Sequence, residues 1–474
     1  MNSPLILMVV PFLGAISAYV AYPSRPQLAK GIAILLSLAL AGFALLFAPG
    51  TTLAVLGRAL PVQQSWTVLG RSFVFEPSAQ PALVFLHLAG AFLLLGTLAI
   101  RIHRTFVPVV LGVLGLMGAA LFVRPFLYAA VFLVLIASAF AALLSDAGHP
   151  LSRGAARLIV FVALGMPFIL LAGTELTGLP QIPEDPAQLQ RILVLLGLGF
   201  AFFLSFPPFH FWLADVADDS PPYAVAFVLT LFQGAVVFFL LHFLNDYSWL
   251  RTIPELFRTL QVAGIAMSLV GGILALAHDR LGQVTGYIAL ANLGTILIAL
   301  STARPEGVEA ALVMLALRGL AFGVWGLGLH MLREQGAGDS VENLRGRAVT
   351  QPLACTATIV AGLSLAGLPG LAGFPGLWGA LRLLAVTQVG AQGGGGLVWV
   401  VVLALGACVL ALLRFARSML SADVPLNFSA GEGRLPSLLL GLGTIAIIAI
   451  GITPQWLLPL LARSAISFGQ LTAP

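Results

Sequence analysis

Five polar side chains stand in or beside long apolar runs, and their types bound the chemistry open to this chain. His210 and Asp215 share the string PFHFWLADVADD, Gln233 and His242 share LFQGAVVFFLLHF, and Arg318 interrupts LALRGLAFGVW. An ionisable group inside an apolar run is costly and by default marks a path for an ion or a proton. Histidine titrates near neutrality and can pass protons. A guanidinium stays charged, so Arg318 can only fix a potential, hold water or pair with a carboxylate. Each also has a plainer structural role. His210 and Asp215 would end a helix at the membrane surface, His242 and His87 would pack, and Arg318 would satisfy backbone carbonyls at a broken helix. Nothing beside them suggests an enzyme. Cys355 and Cys408 are far from any CxxC spacing, and GAQGGGG at 390–396 lacks the strand that a phosphate loop requires. Haem and flavin signatures are missing too, so no catalytic residue, cofactor or metal is expected.

The elements that position these residues follow from composition. Of 474 residues, 59% are hydrophobic and 9% charged, against about 25% charged in a soluble domain. At about 20 residues per span this is material for about 14 transmembrane helices. The apolar runs are continuous, not the alternating segments of about ten residues that a β-barrel shows. They fall at roughly 4–21, 31–49, 80–100, 106–122, 126–145, 156–173, 189–206, 222–244, 260–277, 283–301, 308–331, 352–387, 397–416 and 436–461. The expected fold is an all-α polytopic membrane protein. Two runs are interrupted. The seventh ends in SFPPFHFW, where Pro207 and Pro208 stop a helix, and the twelfth carries AGLPGLAGFPGLWG across Gly367–Gly379. Broken segments in matching positions of two halves point to an inverted repeat. The division expected is 1–105 for the first three helices, 106–246 and 259–418 for two five-helix repeats, and 435–474 for a last helix.

The net charge of +5 from 23 basic and 18 acidic residues is explained by the positive bias of cytoplasmic loops, not by nucleic acid. With an even number of spans, 13 cations lie on the side opposite the termini and eight on theirs. Both termini are therefore expected on the non-cytoplasmic side. The first 22 residues lack a basic leader and read as the first span. The one lysine, Lys30, is expected in the first loop.

PFHFWLADVADDSPPYAVAF, residues 208–227, resembles the PFH-x-WLPDA string of the antiporter-like membrane subunits of NADH–quinone oxidoreductase (chains L, M and N), a family that includes Mrp antiporter and membrane-hydrogenase subunits. Pro208, Phe209, His210, Trp212, Leu213, Asp215 and Pro221 match, and Ala214 replaces a proline. HDRLGQVTGYIALANLG at 278–294 and AGLPGLAGFPGLWGAL at 366–381 are similar to two further family strings, and Arg318 stands where the family has a lysine. The resemblance implies 14 helices in two inverted repeats, an inner-membrane location, and partners among the membrane subunits of a large respiratory-type complex, with lipid around them. It also implies a chain of buried carriers: a glutamate in segment five, lysines in segments seven and eight, and a lysine or glutamate in segment twelve. None is present here. The segment-seven position reads Phe203, that of segment eight reads Gly234 with Gln233 beside it, and that of segment twelve reads Leu377. No acid occurs between Arg104 and Asp146, which empties segment five. Losing all four removes both the titrating sites and their mutual coupling. The expectation is a degenerate, non-pumping subunit. Two rival readings are a proton path rerouted through His210, His242, Gln233 and water, and a two-component carrier for a cation or inorganic carbon.

Overall fold

The computed structural model describes residues 2–47, 52–55, 58–61, 63–68, 70–145, 151–176, 182–183, 185–334, 338–388, 396–421 and 432–456. The helices, in chain order, are α1 (Ser3–Ala21), α2 (Pro26–Leu46), α3 (Ala79–Gly96), α4 (Phe106–Phe122), α5 (Ala129–Leu144), α6 (Arg153–Leu176), α7 (Pro186–Phe203), α8 (Phe211–Asp219), α9 (Pro222–Phe227), α10 (Gln233–Asp246), α11 (Pro254–Ala277), α12 (Leu281–Leu300), α13 (Pro305–Glu334), α14 (Pro352–Leu365), α15 (Phe374–Gln388), α16 (Gly396–Met419) and α17 (Arg434–Ile452). Six of them begin on proline, whose fixed φ and missing N–H suit the first helical position. Asn2 and Asp185 cap α1 and α7 by accepting from the backbone N–H of Leu5 and Ala187.

Among the described residues, twelve helices are long and apolar enough to cross a membrane. Phe106–Phe122, Pro352–Leu365 and Phe374–Val386 are shorter, and the sequence-based count of about 14 rests on them. The chain is a multi-pass membrane protein. It forms two compact units: Met1–Leu143, Ile159–Leu204 and Leu231–Leu250 make one, and Leu144–Leu158, Ser205–Thr230 and Arg251–Pro474 the other.

Four differences from the sequence expectation have physical reasons. Residues 52–74, which lack a helix-long apolar run, hold short strands. Strand β1 (Thr52–Val55) pairs antiparallel with β2 (Arg58–Pro61), and β3 (Ser65–Val68) pairs with β4 (Arg71–Val74) through a turn at Gly70, whose φ is +73°. Strand β5 (Val123–Arg124) extends the second sheet. Lys30 is not in a loop: it lies in α2, buried, and its Nζ donates to the carbonyls of Thr97 at 2.7 Å and Ile100 at 3.1 Å. These carbonyls belong to the short turn that follows α3, where Thr97 O also accepts from the Ile100 N–H, and a cation is favoured at such a helix end. Segment eight is wound as a π-helix over Val228–Phe232, a local widening that no residue type announces. The break in segment twelve is shorter than expected, because Pro375 falls inside the first turn of α15, where its ring is tolerated.

Candidate functional site

In the first unit, Phe203 and Gly234, the positions that the resemblance assigns to carriers in segments seven and eight, lie in apolar surroundings. Phe203 closes α7 at 1% exposure and meets Phe239 of α10 edge-on, with ring centroids 6.0 Å apart. Phe239 also touches Phe200 at 5.4 Å and Phe126 at 5.3 Å. Gly165 of α6 lets this cluster close, since a Cβ there would stand 3.2 Å from the Phe203 ring. Gly234 lies on α10 just past the π stretch and is buried, as is Gln233. A space that the next residue, Ala235, lines together with Leu86, Met117, Leu121, Phe126 and Phe239 has no polar side chain on its walls. A cavity lined in this way stays dry. His242 is also buried on α10. Its Nδ1 lies 2.8 Å from the Phe238 carbonyl, one helical turn back, and its ring packs 5.8 Å from Phe126. His87 on α3 is 1% exposed, and neither ring nitrogen meets a hydrogen-bond partner among the described residues. His242 and His87 are both buried in this unit, on α10 and α3.

In the second unit, the seventh segment is broken as the prolines require. From Leu204 to His210 the backbone is irregular, and Ser205 takes φ +61°. His210 precedes α8, 4% exposed, with its ring 4.4 Å from Phe211 and 6.3 Å from Tyr287. Asp215 forms an ion pair with Arg157 of α6. The position of α8 follows from α12, which crosses it with two glycines one turn apart. A Cβ on Gly282 would come within 2.4 Å of the Ala217 carbonyl oxygen, and one on Gly286 within 2.7 Å of the Ala214 Cα. This small-xxx-small spacing is a means of close helix contact in membranes. It is plain in LGQVTGY and passed unused in the sequence reading.

Arg318 lies on α13 in the same unit, 2% exposed. Its Nη1 donates to Asn292 Oδ1 at 3.2 Å, Nη2 reaches the Ala289 carbonyl at 3.5 Å, and the guanidinium stands 5.0 Å over the Phe322 ring. Asn292 Nδ2 in turn donates to the Leu365 carbonyl at 2.9 Å, at the end of α14. The last turn of α14 closes as a Schellman motif: Gly367 N–H donates to Ser364 O and Leu368 N–H to Leu363 O. Gly367 at φ +76° supplies the left-handed residue this needs. Leu377 of α15 packs onto it, so close that a Cβ on Gly367 would meet the leucine Cδ2 at 2.2 Å. Arg318 thus supports the broken helix through Asn292. Asn292 had drawn no notice in the sequence.

The transmembrane family described as NADH:quinone oxidoreductase/Mrp antiporter matches residues 132–404, more than half of the chain. The chain belongs to this family. A curated relative, NADH-quinone oxidoreductase subunit N of Rubrobacter xylanophilus, is 30% identical over 213 residues, 45% of this chain and 43% of that protein. The chain spans about half the length of the curated relatives it matches. Among solved structures, a chain of the Mrp complex from Dietzia sp. superposes with a TM-score of 0.78 at 17% identity, covering 98% of this chain and 97% of that one. A chain of respiratory complex I from Thermus thermophilus with bound aureothin gives a TM-score of 0.71 at 21% identity, covering 96% and 99%. These likenesses are of fold. Phe203, Gly234 and Leu377 all lie inside the stretch that matches the family. So do His210, Asp215, Gln233, His242 and Arg318, which are distributed over two units and several helices.

Proposed function

We propose that this chain is an antiporter-like subunit in the membrane arm of an NADH–quinone oxidoreductase-like or hydrogenase-like complex, and that it carries no proton of its own. The observation supporting this is the content of the family's carrier positions: a phenyl ring held edge-on by Phe239, a glycine beside a dry apolar space, and a leucine seated on Gly367. A proton path needs groups that bind and release protons, with water or hydrogen bonds between them. The packed rings around Phe203 and the apolar walls beside Gly234 offer neither. The subunit contributes helices and partner-binding surface to the assembly. In this reading residues 106–246 and 259–418 are two inverted repeats within about 14 spans, both termini face away from the cytoplasm, and the complex sits in the inner membrane.

Isolation of the tagged full chain from native membranes tests the assignment. Several large membrane subunits in equal amounts are expected to come with it. Recovery of the chain alone, or with one small soluble partner, would instead favour a two-component carrier.

A further inference from the structure

Four charged side chains outside the membrane-spanning helices' cores meet where α8, the start of α12 and the stretch after α13 come together in the second unit. Asp339, 1% exposed, is the hub. Its Oδ2 accepts from Arg333 Nη2 at 2.6 Å and from the Gly282 N–H at 2.8 Å, and its Oδ1 lies 3.5 Å from Arg280 Nε. Arg333 also donates to the carbonyls of Ala217 at 3.2 Å and Ser220 at 3.0 Å, which end α8. Asp218 is less well served. Its Oδ2 accepts from Gln283 Nε2 at 3.0 Å, whereas its Oδ1 stands 2.9 Å from Arg280 Nε without the alignment of a hydrogen bond. Its side chain is 6% exposed, while that of Arg280 is 51% exposed. The charged groups acting on Asp218 are Arg280 and Arg333, opposed by Asp339 and its neighbour Asp219. Asp215, about one turn earlier on α8, is taken by Arg157. Asp219 is exposed, so the buried group sets two carboxylates against two guanidinium groups, and Asp218 is the acid whose close partner, Arg280, stands half in solvent.

We propose that Asp218 is a proton-binding site that sets how firmly α8 is held against α12 and the stretch after α13. The catch is tightest when Asp218 carries a proton and loosens when Asp218 ionises. Burial pushes the Asp218 carboxyl up to about 6, with Arg280 opposing and Asp339 adding to the rise. Burial also pushes the Asp339 carboxyl up, but Arg333, the Gly282 N–H and Arg280 together hold it below its ordinary value. The two acids therefore act in opposite directions. A carboxyl that titrates higher when held than when free favours the held form in acid, and that contribution is lost as pH rises through about 6. The contribution of Asp339 is lost only on acidification below the ordinary carboxylate range. Of the two acids, Asp218 is the one that changes charge above the ordinary carboxylate range. Taking about 6 held and 3.8 free, the released population grows about tenfold from about pH 5 to about pH 7.5.

Amide hydrogen exchange of the full chain in lipid nanodiscs, corrected for the intrinsic pH dependence of exchange, reads this directly over residues 211–221. Protection of that segment should fall about tenfold across the interval in the wild type. Asp218→Asn cannot ionise, so it should keep the protection of the acid form at both ends. Arg280→Gln, on the exposed arm of the catch, removes the opposing charge and should enlarge the pH dependence. Equal protection at both ends in the wild type overturns the proposal, as does a pH dependence that survives Asp218→Asn. Should Asp218→Asn fail to fold, an Arg280→Gln variant with an unchanged pH dependence overturns it as well.

Discussion

Replacing Phe203 by alanine tests whether the ring fills a packed interior. In a water-soluble protein a buried Phe→Ala change costs about 3–5 kcal/mol, part of it the lost transfer from water. Between membrane helices that part falls away, because lipid is as apolar as the protein interior. What remains is the unfilled space. Removing about 100 Å³ of ring at about 24 cal/mol per Å³ gives about 2 kcal/mol. The neighbours are poorly placed to collapse into it, since Phe239 is already held by Phe126, Phe200 and Phe243. Reversible unfolding of the full chain in mixed micelles with rising dodecyl sulfate would read the loss. In parallel, the proton permeability of proteoliposomes should not change, because the emptied space is bounded by apolar rings and stays dry. A loss below about 0.5 kcal/mol, under the range expected for a buried cavity, would mean that the ring fills nothing. A rise in proton leak would mean that water enters, and the argument for a dry interior fails.

Arg318→Ala leaves Asn292 Oδ1 without its donor, costs about 1–3 kcal/mol and lowers the yield of folded chain; Arg318→Lys restores the charge without the planar fork and recovers only part. Yields equal to wild type for the alanine variant would contradict this. Gly286→Leu drives a side chain into the α8 backbone near Ala214 and should abolish folding, whereas Gly197→Leu, with nothing within 4 Å of its Cβ, should be tolerated. For orientation, an impermeant thiol reagent should reach a cysteine appended at the C-terminus from outside and one at position 338 only from inside. Native Cys355 and Cys408 are buried and should stay silent; the reverse labelling pattern would reject the orientation.

Much of the architecture was legible because the bilayer imposes one demand, that backbone groups be satisfied within each spanning segment. Hydropathy and Pro/Gly punctuation therefore located most helices and both breaks. The short strands at 52–74 and the π stretch at Val228–Phe232 were not legible, since neither is specified by a long-range period. At the site, the identities of Phe203, Gly234 and Leu377 could be read from the motifs, but their packing against Phe239, the dry space and Gly367 could not. Arg318 was singled out from its charge alone, while its support, Asn292, is a neutral residue in an apolar run. The group Asp218, Arg280, Arg333 and Asp339 draws on residues up to 121 positions apart. Each reads singly as an ordinary charge at a helix end. Lys30 was misplaced because a lone cation near an apolar run resembles a loop residue, yet its long stem reaches carbonyls inside.

The central claim is that no proton crosses through this subunit. The sharpest test is the proton-to-electron ratio of the purified complex in proteoliposomes, with His87, His210 and His242 replaced together by glutamine. His210 and His242 are the histidines of the rerouted path, and His87 is a further histidine buried in α3. An unchanged ratio in a fully assembled complex is the predicted result, and a lower ratio with assembly intact would contradict the account.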